Sequence, residues 1–206
     1  LGVETILHSN DSGIAEQHAQ KLAKEQGKIY VSPYNDPQII AGQGTLAIEL
    51  LDQLPRLDVV YVSIGGGGLI SGIGSVLKAF SPKTRVVGVS AKNSAELAAS
   101  IRAGKMVKVD HYETLADGCA GGVDSDTITL GLGTEVIDDL IDCSEKQIVS
   151  GLQQIAWSEK MLVEGSAGLA YAAWQEDARK NNNKISAVVL CGANFDKETL
   201  SPIVNL

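Results

Sequence analysis

Four consecutive glycines form the part of this 206-residue sequence best suited to bind an anion. They follow an apolar run at 58–64, typical of a parallel strand buried on both faces, and precede a helical pattern at 69–80. Without Cβ atoms, successive backbone N–H groups can converge on an anion, and the helix N-terminus adds partial positive charge. The segment therefore predicts a phosphate-binding loop made of Gly65, Gly66, Gly67, Gly68 and Leu69.

The residues after the loop restrict the phosphate compound that it binds. Leu69 is followed by Ile70 and Ser71, so the lysine of a nucleoside-triphosphate loop is missing. The run also differs from the usual glycine spacing of dinucleotide-binding folds. We therefore expect a single phosphate monoester rather than a nucleoside triphosphate. The alternative is a tight strand-to-helix turn in which glycine serves packing alone.

Cysteine and histidine, the other residue types that commonly carry chemistry, show no grouping along the chain. Their spacing lacks the short intervals of a disulfide framework or a zinc site and fits a reducing compartment. The residues concerned are Cys119, Cys143 and Cys191, and His8, His18 and His111.

Composition excludes several classes of function. The net charge is −8 and no basic run occurs, so nucleic acid and anionic membrane surfaces are poor partners. No apolar stretch approaches the ~20 residues of a membrane helix, and no signal peptide is visible. We expect a cytoplasmic protein. Because the sequence opens at Leu1 without methionine, we also expect it to be a piece of a longer or processed protein.

Strand and helix patterns alternate along the chain. Strand patterns at 5–8, 28–31, 58–64, 85–89 and 186–191 are separated by helical patterns, which predicts an α/β fold with a mostly parallel sheet flanked by helices. A helix is expected to begin after 42–45, because two prolines at 33 and 37 indicate a loop. The strand–helix–strand piece before that loop is too small to form a core, so it must add to strands absent from this chain.

Five segments, in order along the chain, together resemble the fold-type II pyridoxal-phosphate enzymes, specifically the threonine/serine dehydratase and serine racemase family. They are Ala-Gly-Gln-Gly-Thr at 41–45, the glycine loop at 65–69, Leu-Ala-Asp-Gly at 115–118, Val-Glu-Gly-Ser-Ala-Gly at 163–168 and Cys-Gly-Ala-Asn at 191–194. The resemblance implies a tryptophan-synthase-beta-like fold and pyridoxal 5'-phosphate as the cofactor.

The resemblance also assigns roles to residues of this sequence. Residues 65–69 would bind the cofactor phosphate, and Cys191 would face the pyridine nitrogen, where the family usually has serine or threonine. A thiol is a weaker donor than a hydroxyl, but it keeps that position uncharged, which favours β-elimination over transamination. Glu164 is expected either to approach the cofactor ring or to serve only as a carboxylate at a helix start.

The lysine that holds the cofactor as a Schiff base in this family lies in a Ser-X-Lys-X-Arg-Gly run, which is absent from this sequence. Lys83 has a similar setting, but Val86 stands where glycine is required, and we expect a solvated turn there. No catalytic residue is therefore predicted. The resemblance implies the C-terminal two-thirds of an enzyme, with residues 1-35 ending the small domain and 36-206 forming the large domain.

No metal site is predicted. Several members of the family bind a divalent cation through a glutamate just after the strand that follows the loop helix. Ser90 occupies the matching position here, and Glu96 offers one carboxylate, which by itself makes a weak site.

The expected function of the complete protein is dehydration of a small hydroxy-amino acid, such as threonine or serine, to a 2-oxo acid and ammonia. The missing lysine would remove the α-proton, so this chain alone is expected to be inactive. The alternatives are a serine or aspartate racemase, a hydroxyaspartate dehydratase, a non-catalytic phosphate-binding domain and, more remotely, a nucleotide-binding module. The family implies a homodimer that acts on an amino acid, without nucleic-acid or membrane partners.

Overall fold

The computed structural model describes residues 2–9, 12–178 and 183–205. Strands and helices alternate through most of this part of the chain. The strands are β1 (Val59–Ser63), β2 (Arg85–Ala91), β3 (Asp139–Cys143) and β4 (Ser186–Val188). The helices are α1 (Ser12–Glu25), α2 (Pro37–Gln53), α3 (Gly68–Phe80), α4 (Glu96–Ala103), α5 (Ile128–Val136), α6 (Glu145–Gln154), α7 (Gly165–Asp177) and α8 (Lys197–Val204). A 3-10 turn spans Asp117–Cys119, and a π-helical turn, Ile155–Glu159, extends α6.

The four strands form one parallel sheet in the order β3-β2-β1-β4, which confirms the predicted α/β class. From β1 the chain proceeds to β2 and β3 on one side and then returns to place β4 on the other side of β1. A crevice forms where the winding direction changes, at the carboxyl ends of the strands. The carboxyl ends of β1 and β4 therefore lie side by side.

Both faces of the sheet are covered by helices, which explains the unbroken apolar run of β1. Val60 and Val62 belong to an apolar cluster with Ile73 of α3 and residues of α2. Val59 and Tyr61, which alternate with them, belong to a second cluster with α6 and α7. All five β1 residues are buried, so the loop that follows β1 starts from a rigid strand end.

Helix α2 begins at Pro37, earlier than the sequence patterns predict. The Asp36 carboxylate accepts hydrogen bonds from the N–H groups of Gln38 and Ile39 at 2.7 and 3.1 Å. Proline suits the first helical position, because its fixed φ is helical and its missing N–H has no helical acceptor there. The second proline of the predicted loop is therefore a helix start.

The predicted strands at 5–8 and 28–31 are not strands in the structure. Their apolar side chains are exposed, with Leu7 at 99% and Ile29 at 91%, and the helix between them, α1, has no buried residue. A strand is defined by its hydrogen-bonded neighbour, and no described segment pairs with either run. The expectation that this piece adds to other strands stays a prediction.

Sequence patterns miss β3 and α8. Strand β3 is five residues long, and its acidic side chains obscure the apolar pattern because they bind arginines of the neighbouring elements: Asp139 pairs with Arg85 and Asp142 with Arg102. Helix α8 contains a proline at 202, yet it starts where the Asp196 carboxylate caps the N–H of Thr199. No helix in the described residues is long and apolar enough to cross a membrane.

Candidate cofactor-binding site

A cavity of about 480 Å³ opens at the carboxyl ends of β1 and β4. The whole glycine loop and Cys191, which the sequence separates widely, line the same cavity. The segment 117–122 forms another part of the wall and contacts the loop where Cys119 packs on Gly65, and Glu164 and Ser166 at the start of α7 contribute as well. Ser12 and Glu16 of α1 also line it, so both predicted parts of the chain, 1–35 and 36–206, face this space.

The glycine loop presents unused backbone donors to the cavity. Ile64 donates its N–H to Val89 at 2.7 Å, and Ser71 donates to Gly67 at 3.0 Å. Between them, the N–H groups of residues 65–69 have no acceptor among the described residues. Gly67 adopts a left-handed conformation, with φ at 85°, and caps α3 without a side chain. The loop and the first turn of α3 therefore form an unpaired set of donors suited to an anion.

Close packing on the outer side of the loop also requires glycine. A Cβ at Gly65 would lie 2.9 Å from the Cα of Cys119, and one at Gly68 would lie 2.9 Å from the Cα of Tyr34. A Cβ at Gly66 would overlap the Tyr34 ring. The Tyr34 hydroxyl accepts the N–H of Asp124 at 2.9 Å, which fixes the ring under the loop. The packing interpretation and the anion-binding interpretation therefore apply to the same glycines.

Tyr34 is a site residue that sequence patterns miss. Its only signal is its place between two prolines, which indicates a loop but not a contact with the glycine run. The ring is 8% exposed. Burial raises the pKa of its hydroxyl, which stays protonated as the support of the loop.

The start of α7 places a polar side chain against the cavity without a hydrogen-bonding nitrogen or oxygen partner. Ser166 is 1% exposed, and its hydroxyl has no such partner among the described residues. Its backbone carbonyl is held by the Ser63 hydroxyl at the end of β1, at 2.5 Å. A buried hydroxyl that faces a cavity in this way is costly unless a ligand or water completes it.

Cys191 lies at the mouth of the cavity because β4 pairs with β1. Val189 donates its N–H to Tyr61 at 3.0 Å, so the chain leaves β4 beside the glycine loop. The Cys191 Sγ is 3.9 Å from the Glu164 Oε1, while the Glu164 Oε2 accepts the N–H of Asn194 at 2.9 Å. Glu164 thus supports the turn after β4 as well as the thiol.

The surroundings of Cys191 keep its sulfur uncharged. Removal of water from the thiol raises its pKa to about 12, and the nearby Cys119 and the Glu164 carboxylate act in the same direction. Cys119, in the segment 117–122, has a pKa raised to about 11, mainly by burial, although the Ser166 hydroxyl nearby lowers it. At neutral pH both thiols therefore remain protonated.

The raised pKa predicts slow alkylation of Cys191 despite its exposure. Only the thiolate reacts, and raising the pKa from 9.0 to about 12 reduces the thiolate fraction at every pH below the new value. Because the residue is open to solvent, we expect the rate at pH 8 to be at least about tenfold below that of a free peptide cysteine, rather than the full ~1000-fold. Timed iodoacetamide labelling with mass spectrometry measures it. A rate that reaches its plateau below about pH 9 would contradict the assignment.

The position at which the family carries a cation has no matching acidic set. Ser90 is buried, with a hydroxyl that lacks a hydrogen-bonding partner among the described residues. Both oxygens of Glu96 are already engaged, Oε2 with His111 at 3.0 Å and Oε1 with the N–H of Val123 at 3.0 Å. Among the described residues no group of three or more His, Cys, Asp or Glu side chains could hold a metal ion. The expectation of no metal stays a prediction.

The fold and the cavity define a doubly wound α/β protein with a cleft, lined by unpaired backbone N–H groups, at the crevice of its sheet. Residues 1–192 match the family described as pyridoxal-phosphate dependent enzyme, and the chain belongs to that family. The chain is 34% identical to the L-threonine ammonia-lyase of Thermotoga maritima, over all of this chain and 51% of that protein.

Solved structures give the same result. The processed threonine deaminase isoform 2 of Solanum lycopersicum has a TM-score of 0.87 and 28% identity, over 97% of this chain and 59% of that one. Maize serine racemase has a TM-score of 0.87 and 29% identity, over 98% of this chain and 62% of that one. The chain thus spans between half and two thirds of the relatives that it matches.

The residues that line the cavity fit the cofactor of this family. The unpaired amides of the glycine loop suit its phosphate, the uncharged thiol of Cys191 suits a ring nitrogen, and the Ser166 hydroxyl is available for a further polar contact.

Proposed function

We propose that the complete protein is a pyridoxal-phosphate-dependent dehydratase, or ammonia-lyase, that converts a small hydroxy-amino acid such as threonine or serine to a 2-oxo acid and ammonia. The observation that carries the proposal is the pairing of a free amide loop with an uncharged thiol across one cavity. The similarity to an L-threonine ammonia-lyase over the whole chain supports it.

Residues 65–69 would hold the cofactor phosphate. Their N–H groups have no partner among the described residues, and α3 adds the partial positive charge of a helix N-terminus. Among the residues that the structure describes, no basic side chain lines the cavity, so backbone donors would make this contact. The packing of Tyr34 and Cys119 beneath the loop fixes these donors before the ligand arrives, which reduces the cost of ordering on binding.

Cys191 would face the ring nitrogen, and Glu164 would orient it. Bound pyridoxal phosphate supplies the electron sink that stabilises negative charge at the substrate α-carbon. A neutral thiol at the ring nitrogen does not favour a protonated ring, which restricts how far that charge spreads and favours loss of the β-substituent. The Glu164 carboxylate near the sulfur keeps the thiol protonated and anchors the turn that carries it.

The segment 117–122 would form another wall of the cofactor pocket. A Cβ at Gly118 would lie 3.0 Å from the Ser166 hydroxyl, so this wall is packed against the start of α7. It excludes water from one side of the reacting centre. The group that removes the α-proton is not among the 206 residues, because the Ser-X-Lys-X-Arg-Gly run is absent.

The test is product analysis with the complete gene product, loaded with pyridoxal phosphate and given threonine, then serine. We expect stoichiometric 2-oxo acid and ammonia from the complete protein and none above background from residues 1–206 alone. Deamination at an enzyme-like rate by the 206-residue chain would contradict the assignment of the base to another segment. Failure of the complete protein to bind pyridoxal phosphate would contradict the proposed function itself.

A racemase of the same family is the second candidate, because maize serine racemase matches the fold as well as the tomato threonine deaminase does. Chiral analysis of the amino acid that remains separates the two. An inverted amino acid without 2-oxo acid would favour racemisation. A complete protein that binds the cofactor but changes no amino acid would favour a non-catalytic binding domain.

We also propose that residues 1-35 end a small domain, that 36-206 form the large domain, and that the protein is a cytoplasmic homodimer. The absence of buried residues in α1 supports the first point. The described contacts of α1 with the large domain are polar, such as Ser12 with Ala120 at 3.2 Å and Gln20 with Asp124 at 3.3 Å. Sedimentation of the complete protein tests whether it is a homodimer, and cell fractionation tests whether it is cytoplasmic.

A further inference from the structure

His111, which lies outside the cavity, contacts two side chains that bind the backbone of the segment 121–123 in the cavity wall. The His111 Nδ1 lies 2.8 Å from the Ser94 hydroxyl, and its Nε2 lies 3.0 Å from the Glu96 carboxylate. Ser94 and Glu96 are 3% and 8% exposed, and the His111 side chain is 25% exposed. The ring therefore bridges two buried polar groups at the start of α4.

Each of these groups also accepts a backbone N–H from the wall. Gly121 donates to the Ser94 hydroxyl at 3.0 Å, and Val123 donates to the other Glu96 oxygen at 3.0 Å. Gly121 lines the same cavity as the glycine loop. The position of this wall therefore depends on two side chains that the imidazole holds in place.

Every donor and acceptor in this group of hydrogen bonds has a partner when the ring proton is on Nε2. That N–H donates to Glu96, the Ser94 hydroxyl donates to Nδ1, and the Ser94 oxygen remains free to accept the N–H of Gly121. With the single proton on Nδ1, Nε2 and the carboxylate would face each other as two acceptors. The closed set leaves no buried donor unpaired, which makes the arrangement rigid.

The same turn of α4 also contacts the glycine loop. A Cβ on Gly67 would overlap Leu97, the residue after Glu96, and would lie 3.1 Å from the Cβ of Thr129. One helix start thus touches both walls of the cavity, the loop through Leu97 and the segment 121–123 through Glu96.

We propose that His111 is a positioning residue that sets the separation between the glycine loop and the 121–123 wall, and thereby the affinity for pyridoxal phosphate. This inference rests on the proposed function, since it assumes that the cavity takes this cofactor. His111 does not touch the cavity, and it acts through Ser94 and Glu96.

The test compares four variants of the complete protein. His111→Ala and Glu96→Ala each remove the hydrogen bond between the imidazole and the carboxylate. We expect each to raise the pyridoxal phosphate Kd about tenfold, as loss of one or two hydrogen bonds implies. Glu96→Gln keeps only one acceptor oxygen, which can serve Val123 or the ring N–H but not both, so its Kd should lie between those of wild type and Glu96→Ala. Tyr112→Ala is the matched control, because that neighbouring side chain is 65% exposed and its backbone contact to Asn93 is retained.

Hydrogen exchange of the cofactor-free protein gives a second readout. We expect the amides of Gly121 and Val123 to exchange about tenfold faster in His111→Ala and unchanged in Tyr112→Ala. An unaltered Kd in His111→Ala, or in Glu96→Ala, would overturn the inference. If His111→Ala does not fold, Ser94→Ala tests the same arrangement, because it removes the hydroxyl that links His111 to the N–H of Gly121.

The outcomes separate this inference from the proposed function. A complete protein that binds no pyridoxal phosphate overturns the function, whereas the exchange rates of Gly121 and Val123 still decide whether His111 holds the wall. Wild-type binding with an unaffected His111→Ala overturns only the inference.

Discussion

Replacing Gly67 with alanine is expected to weaken pyridoxal phosphate binding by the complete protein at least about 100-fold, equivalent to about 2.7 kcal/mol. Gly67 has a left-handed backbone with φ at 85°, and a Cβ there would overlap Leu97. Either the buried Leu97 side chain or the loop would have to shift, and a shift of the loop would displace its unpaired amides. Fluorescence titration with pyridoxal phosphate measures the effect.

Gly104 is the matched control for the free-energy cost of placing alanine in a left-handed backbone conformation. It has φ at 68° at the end of α4, and a Cβ there meets no atom within 4 Å. Gly104→Ala therefore carries the same left-handed cost of about 1 kcal/mol without a steric clash, and its Kd should remain within about twofold of wild type. If Gly67→Ala bound the cofactor as tightly as Gly104→Ala does, the loop would not be the phosphate site.

Replacing Cys191 is expected to change the reaction according to the charge that is introduced. Cys191→Ser keeps an uncharged donor and should retain the dehydration rate within about threefold. Cys191→Asp places a carboxylate opposite the ring nitrogen, favours the protonated ring and should reduce 2-oxo acid release about 100-fold or more, with transamination as a side reaction. Product analysis and the absorption spectrum of the bound cofactor report the two effects.

Glu164 complicates the aspartate variant, because its carboxylate lies 3.9 Å from the sulfur and would raise the pKa of a second carboxyl group. The double variant Cys191→Asp with Glu164→Gln removes that repulsion and should show the larger loss. Cys143→Ser, at a buried thiol in β3 outside the cavity, is the control and should leave the spectrum unchanged. Equal dehydration rates for Cys191→Ser and Cys191→Asp would exclude Cys191 as the ring partner.

The part of the fold that the sequence predicts well is the part whose residues are buried by their own chain. The run that forms β1 is apolar throughout because helices cover both of its faces, so the sequence alone predicts a buried strand there. The run at 28–31 has the same residue types but no partner in the described chain, and there the prediction of a strand is wrong. Strand β3 is missed because Asp139 and Asp142 bind arginines, which breaks the apolar pattern.

The residues of the candidate site also differ in how well the sequence predicts them. Glycines at 65–68 stand out because few other functions require four in succession between a strand and a helix, and the structure places them with Cys191 at one cavity. Tyr34 and His111 could not be found, because each acts through contacts with residues far away in sequence: Tyr34 with Gly66 and Asp124, and His111 with Ser94 and Glu96. Spacing along a chain carries no signal for such contacts.

The sheet order has a consequence for how the protein acquires its ligand. The amide loop follows the first strand of the sheet, whereas Cys191 reaches its place only when the three-residue β4, which comes last along the chain, docks against β1. Short parallel pairing between distant segments is slow to form and weak alone. A cofactor that contacts both the loop and the thiol, as proposed, would stabilise the pairing of β4 with β1. Its depletion should therefore make the C-terminal segment the first to be cut by proteases.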